Sequence, residues 1–150
     1  MTGFQTSQGQ GYTGRGSGPR AGFWRRFAAA FIDGILLFIV EFALDAALKG
    51  VGSALGLIVS ASYFTYLEGG ARGQTFGKSA MGIRVISLED GQPIGYGRAF
   101  IRWIGRIVSA VVFLLGYLWM LWDRESQTWH DKFAGAVVVP VSAYPLPIAV

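Results

Sequence analysis

Residues 27–48 read FAAAFIDGILLFIVEFALDAAL, and the rest of the chain can be interpreted from this stretch outward. It is long enough to cross the hydrocarbon core of a bilayer, which takes about 20 apolar residues. Three acids interrupt it, namely Asp33, Glu41 and Asp45. A carboxylate at the centre of a span costs roughly 3 kcal/mol, and a helix that serves only as an anchor has no use for one. The stretch therefore predicts a membrane helix whose acids have a function.

The composition as a whole is that of a membrane protein. The chain has 150 residues, which suits one domain, and 52% of them are hydrophobic and grouped in blocks. With no cysteine and one histidine, the sequence predicts no metal site and no cofactor. The net charge of +4 comes from basic residues that flank the apolar blocks. This placement favours contact with a lipid bilayer over binding of nucleic acid.

Two further apolar blocks follow, at residues 51–67 and 104–122. We therefore predict an all-α membrane protein, a small bundle of about three transmembrane helices. A polar connection over residues 68–103 contains a short β segment and an amphipathic helix. Residues 1–22 are rich in Gly, Ser and Gln and predict a disordered tail, followed by a transmembrane domain at 23–141 and a C-terminal tail at 142–150.

Small residues recur at every fourth position of the second block, at Gly52, Gly56 and Ser60. Such a row lets another helix approach closely. The pattern favours a tight hairpin between the first two membrane helices. A contact between two copies of the chain is the alternative.

The polar connection and the C-terminal region each contain a short predicted strand, at residues 83–86 and 136–139. Between them, Arg98, Arg102 and Arg106 form one stripe of an amphipathic helix at the membrane surface, and Arg106 is the candidate to neutralise an acid. Three straight spans put the C-terminus outside the cell. Pairing of the two strands instead requires residues 104–122 to be re-entrant, with a break at Gly116.

Three motifs in order resemble the RDD family, which is named for one arginine and two aspartates. They are RFAAAFID at 26–33, QTFGKSAMGIRV at 74–85 and HDKFAG at 130–135. The resemblance implies an integral membrane protein, for which transport of unidentified ligands is the usual suggestion. It assigns the arginine to Arg26, with neighbouring Arg25 as the alternative, and the aspartates to Asp33 and Asp131.

These observations lead to two hypotheses on function. In the first, Arg26, Asp33 and Asp131 form one site near a membrane face, and the protein transports an ion or small solute as an oligomer. In the second, the protein is a membrane scaffold or accessory subunit that binds a membrane partner protein. The sequence shows no pairing of a nucleophile with a base, so we do not expect an enzyme. Candidate accessory residues of the charged site are Glu41, Asp45, Arg106 and His130.

The distribution of basic residues predicts the orientation. Arg25 and Arg26 precede the first apolar block. Five basic residues lie between the second and third blocks and Arg106 lies just inside the third, whereas Lys49 stands alone between the first and second. By the positive-inside rule the N-terminus is cytoplasmic. The protein is then a multi-pass protein of a bacterial plasma membrane.

Overall fold

The computed structural model describes residues 18–112 and 115–146, so most of the predicted N-terminal tail and the last four residues lie outside the described part. The chain is mostly helical, with one short sheet. In chain order the elements are α1 (Phe23–Ala47), α2 (Gly52–Gly69), α3 (Phe76–Ala80), β1 (Ile83–Ser87), α4 (Gly95–Val111), α5 (Leu115–Leu118), a 3-10 helix (Trp119–Leu121), α6 (Trp129–Ala134) and β2 (Ala136–Pro140).

The helix α1 has the length and apolar composition of a membrane span. It follows Gly22, ends before the turn at Gly50, and leaves large apolar side chains such as Phe31 and Phe38 exposed. In the described part of the chain, no other single helix meets the same criterion. The pair formed by α4 and the segment from Leu115 to Leu121 meets it only when counted together, and the two are bent by 112°. Three separate transmembrane helices are therefore not confirmed.

Glycines in α2 bring its backbone close to α1. A Cβ atom at Gly52 would lie 2.5 Å from the Cα of Asp45, and one at Gly56 would lie 3.1 Å from the Cγ of Glu41. Ser60, the third member of this row, accepts a hydrogen bond of 3.1 Å from Nε1 of Trp103 in α4. The small residues of α2 thus contact other helices of the same chain, and the two glycines pack against α1 as the hairpin hypothesis requires.

The two predicted strands pair in an antiparallel sheet, with Val85 opposite Val138. The outer edge of each strand is also hydrogen-bonded. On β2, Val138 O accepts from Ala21 N–H at 2.9 Å, and on β1, Val85 N–H donates to Gly73 O at 2.8 Å. Gly73 has a φ of +61°, and a Cβ there would lie 2.3 Å from the carbonyl oxygen of Val85, so only glycine fits.

This pairing bears on the topology of the third apolar block. Since β1 and β2 are bonded to each other, they lie on one side of any membrane, and a straight third span between them is incompatible with the pairing. The bend of 112° between α4 and the segment that begins with α5 is the geometry of a broken span or of a re-entrant segment.

Packing extends beyond the predicted domain boundaries of 23 and 141. Ala21 is buried, and Tyr144 packs on Ile86 and Val137. The N–H of Gly18 donates to the Tyr144 hydroxyl at 2.6 Å. The segments on either side of the helical domain therefore belong to its core.

Candidate functional site

Arg102 of α4 lies at the centre of a buried cluster of charges. Its Nη1 donates to Oε2 of Glu68 in α2 at 2.8 Å, and its Nη2 pairs with Oδ1 of Asp131 in α6. Only 1% of the Arg102 side chain is exposed. One guanidinium thus joins two carboxylates that are far apart in the sequence, and its planar, forked donors suit this arrangement.

The second oxygen of Asp131 binds the arginine that precedes the membrane helix. Oδ2 of Asp131 accepts from Nη2 of Arg26 at 2.5 Å, and Nη1 of Arg26 donates to the carbonyl of Ser126 at 2.9 Å. The structure therefore brings together two members of the predicted triad, Arg26 and Asp131. Arg25, the alternative to Arg26, is exposed and has no ion pair among the described residues.

Glu68 completes the cluster with two further cations. Its Oε1 accepts from Nζ of Lys78 at 2.6 Å and also pairs with Nη2 of Arg106. The guanidinium of Arg106 lies 3.9 Å from the centre of the Phe64 ring, which favours the cation further. We call Arg26, Glu68, Lys78, Arg102, Arg106 and Asp131 the charged cluster. It has four cationic side chains and two carboxylates.

Asp33, the third member of the predicted triad, is not bonded to Arg26. Its Oδ1 accepts from the Tyr63 hydroxyl at 2.6 Å and from Gly77 N–H at 2.8 Å, and its Oδ2 accepts from the Thr75 hydroxyl at 2.6 Å. Gly77 is needed for this contact, since a Cβ there would lie 2.0 Å from the carbonyl oxygen of Ala29. Asp33 thus fixes α3 against α1 through neutral donors. Asp33 therefore has partners other than Arg26, although both side chains line one cleft, and the three-residue site stays a prediction.

The other two acids of α1 lie away from the charged cluster. Glu41 and Asp45 are exposed, and neither has an ion pair with another described residue. They face the glycines of α2 across the hairpin. The structure therefore separates these predicted accessory residues from Arg106 and His130.

The helix α6 is capped at its start by Asp131 of the charged cluster together with Thr128. Thr128 and Asp131 form a capping box, in which Asp131 Oδ2 accepts from Thr128 N–H at 3.1 Å and Thr128 Oγ1 accepts from Asp131 N–H at 3.4 Å. Gly135, with a φ of +59°, ends the helix. Asp131 is therefore aimed at Arg26 and Arg102 by local backbone structure.

Burial and neighbouring charges shift the pKa values around α6 and α3. Burial alone would raise the pKa of Asp131, but the guanidinium groups of Arg26 and Arg102 hold it well below its usual range. Burial lowers the pKa of His130 well below 6.5, although the Asp131 carboxylate opposes the shift. Burial also lowers the pKa of Lys78 to about 8, against the opposing effect of Glu68. At neutral pH Asp131 is ionised, His130 is neutral and most Lys78 is protonated.

A half-open cleft of about 670 Å³ lies between α1 and the segment from α4 to α6. Its walls are mostly apolar, and Arg26, Lys78, Arg102 and Arg106 of the charged cluster line it together with Asp33. Even with Asp33 counted, the charged groups in and around the cleft have an excess of positive charge. The volume lies in the range of pockets that hold one small molecule, about 300–1,000 Å³.

Three buried N–H or ring nitrogen positions beside this cleft have no hydrogen-bond partner among the described residues. They are Nε of Arg102, Nη1 of Arg106 and Nδ1 of His130. Leaving a buried donor unpaired costs about 1–3 kcal/mol. Two of the three belong to the guanidinium groups of Arg102 and Arg106, whose side chains line the cleft. No group of three metal-binding side chains lies together in the described ranges.

Sequence reasoning missed Glu68 and the central position of Arg102. It placed Asp131 in one site with Arg26 and named Arg106 as the arginine that neutralises an acid, and the structure shows both ion pairs, with Glu68 as the acid of Arg106. The pairing of Arg102 with Asp131 was not predicted. A signal for Glu68 was present, because it is the first acid after a long apolar block. The arginine stripe also contained Arg102, but spacing alone did not distinguish it from Arg98 and Arg106.

The chain is similar to several known proteins. It is 42% identical to the proline-rich antigen of Mycobacterium leprae (strain TN) over 72 residues, which are 48% of this chain and 29% of that protein. It is 25% identical to the uncharacterized protein YxaI of Bacillus subtilis (strain 168), covering 79% of this chain and 96% of that one. An uncharacterized protein of Haemophilus influenzae is 30% identical over 80% of this chain and 78% of its own length. No solved structure matches.

The chain spans less than a third of the mycobacterial antigens that it matches, since the second of them, from Mycobacterium tuberculosis, is covered over 30% of its length. The profile of the RDD family matches residues 20–135, which include every member of the charged cluster. By this match over most of its length, the chain belongs to the RDD family.

Proposed function

We propose that this protein is an integral membrane protein that binds a small organic anion in the cleft and moves it across the bilayer as an oligomer. The observation that carries the proposal is the excess of cationic side chains around the cleft, together with the unpaired donors of Arg102 and Arg106. Buried donors of this kind are stabilised when a carboxylate or phosphate oxygen accepts from them.

The state of the acids argues for an anion rather than a cation as the transported species. Both oxygens of Asp33 already accept hydrogen bonds, and Glu68 is surrounded by Lys78, Arg102 and Arg106. A metal cation or proton would have to displace these partners. Asp33 is the buried acid of α1, and its hydrogen-bond partners do not favour binding of a cation there.

The arrangement in the membrane follows from which ends of the helices lie together. Arg26 at the start of α1 and Glu68 near the end of α2 reach the same cluster, so α1 and α2 run in opposite directions as a hairpin. We place the cluster and the sheet at the cytoplasmic face, with α4 and α5 entering and leaving from that face. Arg25, Arg72 and Arg84 lie toward this end and Lys49 at the other, as the positive-inside rule favours.

The oligomer is supported by the exposed acids of α1 and by the small size of the bundle. Glu41 lies beside Gly56 of α2 but remains exposed in the second half of an apolar helix, where an unpaired carboxylate is costly in hydrocarbon. A second subunit at this face would shield it from hydrocarbon. A bundle of this size also encloses little space alone, and several copies would complete a pathway.

Flux through proteoliposomes tests the proposal. Purified protein is reconstituted into vesicles, and efflux of radiolabelled benzoate is compared with efflux of radiolabelled sodium. We expect protein-dependent benzoate efflux that Arg106→Gln reduces about tenfold and that Arg98→Gln leaves unchanged, because Arg98 lies on the same helix outside the cleft. Sodium efflux without benzoate efflux would overturn the choice of an anion, and no flux of either would overturn transport.

A specific observation also favours a scaffold function. The charged cluster joins α1, α2, α3, α4 and α6 through ion pairs, as a structural lock would. On this alternative the cluster has no ligand. Vesicles would then show no protein-dependent flux, and the same arginine variants would alter thermal stability alone.

A further inference from the structure

The cleft has two kinds of lining. Arginines 26, 102 and 106 line it together with Lys78 and Asp33, and its apolar lining includes Phe27, Phe31 and Leu37 of α1, Ile107 and Ala110 of α4, and Leu118 of α5. Phe27 and Phe31 are 54% and 61% exposed, so this wall continues into the outer surface of α1. In a membrane that surface contacts lipid chains. The cleft is therefore open toward the bilayer along its apolar side.

Among the cations that line the cleft, Arg106 has the most exposed side chain. It is 13% exposed, against 10% for Arg26, 9% for Lys78 and 1% for Arg102. Its Nη2 is used by Glu68, and its Nη1 has no partner in the described part of the chain. Since Nη1 is buried, a ligand carboxylate reaches it only when the guanidinium turns toward the cleft.

The walls do not suit a small, strongly hydrated anion. Such an anion would leave the phenyl and aliphatic surface of α1 and α4 without a partner, and that surface contributes binding free energy only when a ligand covers it. A ligand with an anionic head and an apolar chain satisfies both kinds of lining at once. Its volume, about 670 Å³, suits one chain, since pockets of about 300–1,000 Å³ hold a single drug-sized molecule.

We infer that the ligand of the cleft is a single-chain anionic lipid, a fatty acid taken from the bilayer, with its carboxylate at Arg106 and its chain between α1 and α4. The inference rests on the proposed anion binding and goes further by assigning the chain. The carboxylate accepts from the free donor of Arg106, and the chain replaces lipid contacts along Phe27 and Phe31.

Gly34 offers a way to test the chain without disturbing the charges. It lies in α1 and lines the cleft, and a Cβ placed there meets nothing within 4 Å. A leucine at this helical position therefore has room for its Cβ, adds a side chain to the lining of the cleft and has a better helix propensity than glycine. Gly97 of α4 is the matched control, because its Cβ position is also open and it does not line the cleft.

The experiment measures saturable binding of radiolabelled oleate to the full chain in nanodiscs of phosphatidylcholine, with empty nanodiscs as background. We expect saturable binding that unlabelled oleate displaces. Oleyl alcohol, which has the chain without the charge, and acetate, which has the charge without the chain, should not displace it at the same concentrations. Gly34→Leu and Arg106→Gln should each weaken binding about tenfold, since each removes one of the two contacts. Gly97→Leu and Arg98→Gln should not.

Several outcomes would overturn this assignment. Displacement by acetate as readily as by oleate, or absence of saturable oleate binding while benzoate efflux persists, would show an anion site without a chain and leave the proposed function standing. Tighter displacement by phosphatidylglycerol than by any single-chain lipid would show a two-chain ligand. Unchanged binding in Gly34→Leu, a variant outside the ion network, would place the chain elsewhere.

Discussion

Arg102 forms ion pairs with both carboxylates of the charged cluster, so its replacement should destabilise the fold at Glu68 and at Asp131. Glu68 would keep Lys78 and Arg106, and Asp131 would keep Arg26, but each would lose a buried ion pair. Removing one partner of a buried ion pair leaves a charge without compensation, which costs about 3–5 kcal/mol.

Replacing Arg102 with methionine should therefore lower stability by about 3 kcal/mol or more, measured as the thermal unfolding transition in detergent. Arg25→Met is the control, because Arg25 is exposed and unpaired among the described residues. Equal transitions for the two variants would mean that the cluster contributes little to folding.

His130 should make the free energy of unfolding depend on pH below about 6.5, where imidazole groups titrate. It is the one histidine of the chain, so a single substitution tests this effect. Its pKa in the fold lies well below 6.5, since burial disfavours the imidazolium. Between these two values the unfolded chain binds more protons than the folded one, so stability falls as the pH drops below about 6.5.

The check is the unfolding temperature measured from pH 7.5 to 5. The wild-type temperature should fall over this range, and His130→Gln should remove most of the fall. Asp131, whose pKa is depressed, should contribute a further loss only below about pH 4, as its carboxylate becomes protonated. A wild-type curve that is flat between pH 6.5 and 5 would contradict burial of a neutral His130.

At the level of the helices, the contact between α1 and α2 depends on individual glycines to different degrees. A Cβ at Gly52 would collide with the backbone of Asp45, which cannot move away easily. At Gly56 the nearest atoms belong to the side chain of Glu41, which is flexible. At Gly34 the space is open.

Alanine at these three positions should therefore give a graded result. Gly52→Ala should destabilise by about 1–3 kcal/mol through overpacking, Gly56→Ala should have a small effect, and Gly34→Ala should be neutral or stabilising by up to about 1 kcal/mol. Thermal unfolding in detergent measures the order. Equal effects at all three positions would show that the hairpin contact is not as close as described.

At the level of the whole molecule, the sheet determines which segments share a side of the membrane. β1 precedes α4 and β2 follows α6. Because the two strands pair, the turns that adjoin them lie on the same side of the membrane. Glu89 and Ser142 are exposed beside the two strands, whereas Lys49 is exposed in the turn between α1 and α2. The natural chain has no cysteine, so single cysteines can be introduced at these positions without a background signal.

We expect Glu89→Cys and Ser142→Cys to react with a membrane-impermeant maleimide from the cytoplasmic side, and Lys49→Cys to react from the opposite side. The measurement uses right-side-out and inverted vesicles. Reaction of Ser142→Cys from the side opposite Glu89→Cys would restore a straight third span. Reaction of all three positions from one side would mean that α2 does not cross the membrane.

From the sequence by itself came the membrane class, the helix around residues 27–48, both strands, the close hairpin and the resemblance to the RDD family. These depend on hydropathy, alternation of side chains and residue spacing, which are properties of neighbouring residues. Arg26 and Asp131 were identified as members of one site because their motifs were recognisable. The count of three spans is not confirmed, because the third apolar block bends between α4 and α5, before Gly116 rather than at it.

Only the tertiary structure decided which charges pair. Arg102 reaches Glu68 and Asp131 from positions 34 and 29 residues away, and Asp33 binds groups from α2 and α3 instead of Arg26. Periodicity along one helix states which residues share a face, but not which element packs on that face. A buried charge takes whichever partner the packing brings within bonding distance, so the cluster and its cleft exist only once α1, α2, α4 and α6 have come together.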